Sequence, residues 1–196
     1  MFHACAIPIG QEPEALAGSG PRTCPPGIDR EVAFLQTFSG TDLLVLAQIG
    51  SAAGTVSTLG DGRLPGATRA WTAVPDDLDA DDIYVSAVPL RPRMRSRFAA
   101  FAEELEGARK PELMIEMTRA RHGEVVFAQQ GEIDLVIPIV IGREPWSDEH
   151  RAAPGESAFN TWVNDQLAEL HGIQFSDAPP PANRLLWDIR STDRRG

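Results

Sequence analysis

Lysine is almost missing from this sequence. Of the 18 basic residues in the 196-residue chain, Lys110 is the single lysine and all the others are arginines. Together with abundant alanine, glycine and proline, this bias indicates a GC-rich genome and therefore a bacterial or phage source. It also means that nearly every cation can form the bidentate contacts with carboxylates or phosphates that a guanidinium allows.

Cysteine and long apolar stretches are scarce as well. Two thiols, Cys5 and Cys24, do not make the disulfide framework of small secreted proteins, and a chain of this length needs none. The longest apolar run, Ile133–Ile141, is far shorter than the ~20 residues that cross a bilayer. The first residues lack the basic and apolar regions of a secretory signal. We therefore expect a cytoplasmic protein without membrane spans.

Acidic residues outnumber basic ones by 28 to 18, which gives a net charge of −10. Apolar residues make up 42% and charged residues 23% of the chain, and these values are typical of a globular protein. They exclude a disordered chain, a coiled coil and a collagen-like fibre. The excess of acid argues against duplex nucleic acid as a partner, because domains that bind it are normally basic.

Apolar and alternating segments predict several strands in the first half of the chain. Phe2–Ile9 is predicted to be a short edge strand, since Pro8 removes one ladder donor. Ile28, Val32 and Leu35 recur at helical spacing and predict a short helix from Ile28 to Phe38. Further strands are predicted close together, which favours antiparallel pairing, at Asp42–Ile49, Thr55–Leu59, Thr68–Val74 and Ile83–Leu90.

The second half of the chain combines helix and strand patterns. A helix is predicted from about Pro92 to Arg109 because one apolar stripe follows helical spacing through Met94, Phe98, Phe101 and Leu105. Residues 112–141 alternate in hydrophobicity around a turn at His122–Gly123 and predict a three-stranded meander. His122 is expected there with a positive φ.

A second long helix is predicted from about Glu156 to His171. Gly172 is well placed to end it, and the charge of His171 would interact favourably with the dipole at its C-terminus. One face of this helix is apolar and can cover the meander, through Phe159, Trp162, Val163, Leu167 and Leu170.

Together these elements predict an α+β fold, in which a mostly antiparallel sheet of about six to seven strands is covered by two to three helices on one face. Residues 1–27 are expected to be a flexible arm or an edge strand, and residues 28–175 a single domain. Residues 176–196 begin with a stiff proline tract and are expected to pack back on that domain through Leu185–Ile189.

The densest charge feature is a run of arginines at the start of the first predicted helix: Arg91, Arg93, Arg95 and Arg97. Net charge is +3 over residues 91–121, against −7 before them and −6 after them. Cations at a helix N-terminus oppose the helix dipole, so local stability does not require them. The run therefore predicts a site for an anion or an acidic partner. The alternative is a solvated helix start, with Arg95 and Arg97 neutralised by Glu106 and Glu104.

Acidic and aromatic residues supply further candidates for partner binding. Alternating aspartates at Asp77, Asp79 and Asp81 lack the glycine and glutamate that a calcium-binding EF-hand loop needs. We expect them to form an exposed loop that contacts a partner or the arginine run. Trp146 in a loop and Trp187 in the tail are predicted anchors, because aromatic side chains concentrate binding energy. Ordinary packing of loop and tail is the alternative.

Other reactive side chains show no catalytic or metal-binding pattern. Gly50–Gly54 lacks the lysine and the serine or threonine of a phosphate loop and predicts a tight turn. His150 has acidic neighbours, but no partner at a fixed spacing gives it a role. His3, Cys5 and Cys24 offer three metal ligands without a fourth. We therefore predict no catalytic residue, no metal site and no cofactor.

Three functions follow from these observations. The first is a non-catalytic protein that binds another macromolecule, as an acidic adaptor, an immunity- or antitoxin-type neutraliser or an assembly component. Its partner would be another protein, and a basic one would be encountered fastest. The second is an enzyme or sensor that holds a small phosphate or carboxylate ligand through Arg91–Arg97. The third is a virion or tail subunit that forms homo-oligomers through the strand Ile133–Ile141.

Overall fold

The computed structural model describes residues 1–9, 23–38, 40–53, 66–78, 82–143, 157–172 and 183–191. Nine strands lie in these ranges: β1 (Phe2–Pro8), β2 (Arg30–Phe38), β3 (Thr41–Ile49), β4 (Ala67–Ala73), β5 (Asp82–Val85), β6 (Val88–Pro89), β7 (His122–Gln129), β8 (Leu135–Gly142) and β9 (Asn183–Arg190). Three helices lie there as well: α1 (Arg95–Glu106), α2 (Lys110–Ala120) and α3 (Ala158–His171). None of these helices is long and apolar enough to cross a membrane. The predicted strand Thr55–Leu59 and the proline tract fall outside the described ranges.

The strands form two antiparallel sheets. The first has the order β1-β3-β2-β9, and the second has the order β4-β7-β8-β5 with β6 also paired to β8. The predicted α+β class with antiparallel pairing is therefore confirmed. The expectation of one sheet with six to seven strands is wrong, because several strands are apolar on both faces and two sheets can bury one face of each against the other.

Side chains from both sheets fill the space between them. Ala4 and Ala6 of β1 share one buried cluster with the larger Ile137 and Ile139 of β8. Small residues on one sheet thus leave room for large ones on the other, which gives the close packing that protein interiors require.

The helices pack against the opposite face of the second sheet. Phe98, Phe101 and Leu105 of α1 lie in one buried cluster with Val126 of β7 and Val136 of β8. This is the apolar stripe predicted for the first helix. Residues of α2 and α3 complete the same cluster, namely Leu113, Phe159 and Leu170.

The ends of α3 agree with its prediction. Ser157 is the N-cap, and its Oγ accepts a hydrogen bond from the Asn160 N–H at 3.1 Å. Gly172 follows the last turn with a φ of 74°, the left-handed conformation that glycine adopts without strain.

The predicted helix Ile28–Phe38 is wrong, because most of this segment is β2. Val32 and Phe34 point into the space between the sheets, while Glu31 and Ala33 alternate with them and are buried on the other face. A strand buried on both faces has apolar residues at many spacings, so three of them matched the helical period by coincidence.

The predicted first strand of the meander is also wrong, because Lys110 to Ala120 form α2. Pro111 lies in the first turn of that helix, where its missing N–H costs nothing. Of the alternating residues that suggested a strand, Ile115 is 65% exposed, whereas Leu113 and Met117 pack at helical spacing. The helix ends at Ala120, and the next residue, Arg121, has a φ of 55°. The change of chain direction therefore lies at Arg121 and not at His122, where the turn was expected. His122 and Gly123 instead begin β7.

Proline at position 138 explains why β5 and β6 are separate strands. Pro138 lies within β8 and accepts a hydrogen bond from the Ser86 N–H at 3.3 Å. Its own nitrogen lies on the same side of β8 and has no proton to donate. The ladder with β8 is interrupted there, and the backbone of Ala87 is free to bond elsewhere. Because β8 has partners on both sides, it offers no edge for the oligomer contact predicted for Ile133–Ile141.

Three carboxamide side chains join the backbone of one sheet to that of the other. Gln36 of β2 donates to the Ala87 carbonyl oxygen at 2.6 Å and accepts from the Ala87 N–H at 2.9 Å. Gln129 of β7 pairs in the same way with Ala6 of β1, at 2.7 and 2.8 Å. Asn183 of β9 donates to the Val85 carbonyl oxygen at 3.1 Å. These contacts satisfy backbone groups at the outer edges of β1 and of β5–β6.

The edge of β4 is closed by an ion pair. Glu106, at the end of α1, accepts from the Thr72 N–H at 3.1 Å, and Lys110 donates to the Thr72 carbonyl oxygen. Glu106 and Lys110 also pair with each other at 2.8 Å. This contact places the single lysine of the chain at a sheet edge, where a charged side chain prevents pairing with another strand.

We predict that Gln36→Met destabilises the fold. The substitution keeps the length of the side chain but leaves the N–H and carbonyl groups of buried Ala87 without partners. Each such group costs about 1–3 kcal/mol, so the free energy of unfolding should fall by about 2–4 kcal/mol. Urea denaturation followed by circular dichroism measures this change.

Gln130→Met is the matched control, since Gln130 is exposed. We expect it to change the free energy of unfolding by less than ~1 kcal/mol. Equal losses for the two variants would contradict the structural role of the Gln36 pairing.

Candidate partner-binding surface

The arginine run lies at the entrance to α1. Residues 91–94 form a turn, closed by a hydrogen bond from the Met94 N–H to the Arg91 carbonyl oxygen at 3.1 Å. Pro92 occupies the second position of the turn, and Arg93 occupies the third with a φ of 71°. Glycine is the usual residue at that position, because a side chain at positive φ costs about 1–2 kcal/mol.

Arg95 binds the loop between β7 and β8. Its Nη2 and Nε donate to the two carboxylate oxygens of Asp134 at 2.6 and 3.1 Å, and its Nη1 donates to the Gln130 side-chain oxygen at 3.2 Å. The hydrogen bonds of this fork raise the pKa of Arg95 and hold the pKa of the Asp134 carboxyl below its usual value. Because Arg95 is half exposed, the pair adds little stability, but it fixes the loop against the start of α1.

Arg91 and Arg97 contact α3 instead. Arg91 donates from Nη1 to the Glu169 carbonyl oxygen at 3.3 Å, and Arg97 forms an ion pair with the Glu169 carboxylate at 3.5 Å. The predicted neutralisation of Arg95 and Arg97 within α1 is therefore wrong. At 1.5 Å per residue, Arg95 and Glu106 are about 16 Å apart along that helix, which is too far for an ion pair.

Arg93 differs from the other three arginines. It is exposed, and among the described residues it forms no hydrogen bond or ion pair. Beside its turn lies the loop of residues 130–134, in which Ile133 is 56% exposed. The turn and the loop are held together because Leu90 donates its N–H to the Asp134 carbonyl oxygen at 2.8 Å and Arg95 binds the Asp134 side chain.

The acidic run is described only in part. Asp77 is exposed in the turn after β4, where the Leu78 N–H donates to the Pro75 carbonyl oxygen at 3.3 Å. The remaining candidates Asp79, Asp81, Trp146 and His150 lie outside the described residues. Their contact with a partner or with the arginine run therefore stays a prediction.

Trp187 does not offer the exposed ring that we predicted. It is 8% exposed on the outer face of the first sheet, and its Nε1 donates to Glu31 Oε1 at 3.0 Å. The second carboxylate oxygen of Glu31 accepts from Gln48 Nε2 at 2.7 Å. Trp187 is therefore part of a buried hydrogen-bond network, because an indole N–H in the interior needs an acceptor.

Both thiols lie near this network, and their surroundings disfavour the thiolate form. Burial, with a smaller contribution from the Glu31 carboxylate, raises the pKa of Cys5 to about 12. The same causes raise the pKa of Cys24, whose Sγ donates to the Ile189 carbonyl oxygen at 3.4 Å. Thiolates are the reactive and metal-binding form of cysteine, so a raised pKa makes both side chains less nucleophilic at neutral pH. In the described part of the chain, no three residues of the histidine, cysteine and acidic types are grouped as a metal would need.

Two further sequence predictions can be placed in the fold. Gly50 forms the expected tight turn: with a φ of 145°, it lies so close to Gly27 that a Cβ would approach the Gly27 carbonyl oxygen to 2.3 Å. His171 ends α3, but burial lowers its pKa, and its Nδ1 donates to the Pro89 carbonyl oxygen at 2.8 Å. The predicted position of His171 at the C-terminus of the helix is confirmed, whereas burial disfavours the charged form of the ring that would interact with the helix dipole.

Sequence reasoning missed the loop that accompanies the arginines. The pattern of Ile133, Leu135 and Ile137 placed Ile133 inside a buried strand, whereas β8 begins only at Leu135. Asp134 separates Ile133 from the buried strand, because its carboxylate binds Arg95. Arg95 lies about 40 residues earlier in the sequence, so no local pattern reveals this pairing.

Comparison of the chain with protein-family models, with curated proteins and with solved structures found no match.

We predict that Arg93→Gly stabilises the fold. Glycine removes a left-handed strain of about 1–2 kcal/mol, but it also adds about 0.5–1 kcal/mol of backbone entropy to the unfolded chain. The free energy of unfolding should therefore rise by up to ~1 kcal/mol. Arg121→Gly, at a second arginine with positive φ, should give a similar gain in the same urea titration. A loss of stability for Arg93→Gly alone would show that its side chain makes a stabilising contact.

Proposed function

We infer that this chain is a non-catalytic protein that binds another protein, as an adaptor, a neutraliser of the immunity or antitoxin type, or an assembly component. Its composition fits a GC-rich bacterium or phage. Free thiols at Cys5 and Cys24 fit a reducing compartment such as the cytoplasm.

The distribution of the arginine contacts carries this proposal. Arg95 is bound to Asp134 and Arg97 to Glu169, so these two cations are already neutralised within the molecule. Arg91 reaches a backbone carbonyl of α3 on the same side. The guanidiniums thus point to different partners and do not converge on one point, as a pocket for a small phosphate or carboxylate would require. Arg93 is left on an open surface, which suits a macromolecule better than a small ligand.

The other two functions have less support. An enzyme or sensor for a small anion would need the Arg91–Arg97 run to form one site, and its members contact two separate elements. A virion or tail subunit was proposed on the basis of an oligomer formed by the strand Ile133–Ile141. That strand lies inside its sheet, so the argument for this role is lost.

The net charge of −10 suggests how the partner is found. A negative body increases the rate of encounter with a protein of positive net charge, and this effect decreases with salt. Arg93 acts only at the point of contact, where its guanidinium would bind a carboxylate of the partner.

We predict that the purified protein, used as bait in a low-salt lysate of the organism that encodes it, retains one partner in a stoichiometric complex. After both proteins are purified, the association rate constant should fall at least about tenfold between 20 and 300 mM salt, because charge steering is screened. Light scattering gives the stoichiometry and stopped-flow fluorescence the rate. A bait that retains no stoichiometric partner would remove the basis of the proposed function.

A further inference from the structure

We propose that the turn of residues 91–94 and the loop of residues 130–134 form one docking surface for a protein segment in which a carboxylate neighbours an aliphatic side chain. We name it the Arg93–Ile133 surface; it comprises Arg93, Arg95, Gln130 and Ile133. This inference rests on the proposed function and adds to it the site and the chemistry of the contact.

The apolar part of this surface is Ile133. Its exposure of 56% places an aliphatic side chain in water at a loop whose neighbours are polar. Burying such a side chain fully stabilises a contact by about 1.5–3 kcal/mol. It is therefore a suitable anchor for an apolar residue of a partner.

The charged part is Arg93. Its guanidinium forms no hydrogen bond or ion pair with the residues that the structure describes, so none of these residues competes with a partner's carboxylate. A planar guanidinium matches a carboxylate with two parallel hydrogen bonds. The left-handed backbone at Arg93 costs stability, and no residue that the structure describes offsets this cost by contacting its side chain.

The two parts are held in a fixed arrangement. Asp134 follows Ile133 directly, and its carboxylate and carbonyl oxygens are bound by Arg95 and by the Leu90 N–H. Arg93 lies between Leu90 and Arg95 in sequence. Both segments are therefore ordered before a partner arrives, which lowers the entropy that binding must offset.

The exposed isoleucine and leucine side chains elsewhere in the described ranges lack this combination. Ile115 on α2 is 65% exposed, but Arg119, one helical turn after it, is paired with Glu116. Leu185 on β9 is 53% exposed and follows Arg184, yet successive side chains of a strand point to opposite faces.

Charge favours a protein segment over a nucleic acid. Glu132 and Asp134 lie in the same loop as Ile133, and the chain as a whole carries a charge of −10. A phosphate backbone needs several free cations along its length, and this surface offers one unpaired guanidinium. A protein segment with a single carboxylate beside an apolar side chain needs only one guanidinium and one apolar contact.

The test is a selection from a displayed library of random dodecapeptides on the immobilised full chain. We expect enriched peptides to share an aspartate or glutamate within two residues of leucine, isoleucine or valine. Binding of a synthesised enriched peptide, measured by fluorescence anisotropy, should weaken at least about tenfold in the Arg93→Ala, Ile133→Ser double variant, because both anchors of the contact are lost.

Matched controls separate the surface from general charge and hydrophobicity. Among the residues that the structure describes, Arg121 is the other arginine with a positive φ and Ile115 the other exposed isoleucine. The Arg121→Ala, Ile115→Ser double variant should bind the peptide within about twofold of the unsubstituted chain. Thermal unfolding checks that all variants are folded.

Several results would overturn the surface. These are a selection without enrichment, enriched peptides without carboxylates, equal loss of binding in the control variant, or displacement of the peptide by a single-stranded oligonucleotide or by millimolar inorganic phosphate. Failure of the proposed function itself is seen separately. A native partner that binds the Arg93→Ala, Ile133→Ser variant with unchanged affinity refutes the surface and leaves protein binding intact.

Discussion

The paired hydrogen bonds of two glutamine side chains hold the two sheets in their positions. Gln36 reaches from the first sheet to Ala87 beside the second, and Gln129 reaches from the second sheet to Ala6 of the first. A carboxamide has a donor and an acceptor spaced like those of a peptide group, so each glutamine stands in for a neighbouring strand. Apolar packing between the sheets is not directional, whereas these bonds fix how one sheet lies on the other.

The same contacts protect the protein from unwanted strand pairing. The open edge of a sheet is a template for another chain, and proteins cover such edges with charges, bulges or side chains. Here glutamine covers β1 and the interrupted edge strand at Ala87, and the Glu106–Lys110 pair covers β4. The pairing of β9 with β2 contains a bulge between Ala33 and Phe34, which disturbs a flat edge.

This framework also places the docking surface. Pro138 interrupts the ladder of β8, which frees Ala87 for Gln36, and the chain then passes through β6 to Leu90 and the arginine turn. From there Arg95 returns to Asp134 at the start of β8. The proposed contact residues are thus positioned by the second sheet itself, which gives an interface more precision than a free loop would.

Local patterns identified the elements that have one buried face. The apolar stripes of α1 and α3 followed the helical period, and Gly172 marked the end of α3, so the sequence was sufficient to find these two helices. It failed at β2, which is buried on both faces, and at α2, where exposed Ile115 completed a false alternation.

The candidate site shows the same limit. The arginine run was visible in the sequence, but its ion-pair partners Asp134 and Glu169 were not, because both contacts join residues far apart in the chain. For Trp187 the sequence leaves a choice between a binding anchor and ordinary packing of the tail, and no local pattern reveals the contact with Glu31 that decides for packing.

The most direct test of this account is native-state hydrogen exchange at the two backbone amides that the glutamines bind. If Gln36 and Gln129 close the sheets as strands would, the N–H groups of Ala6 and Ala87 should exchange only with global unfolding, as slowly as that of Val125 in the centre of β7. Exchange of Ala6 and Ala87 at the rate of open loop amides, while Val125 stays protected, would contradict it.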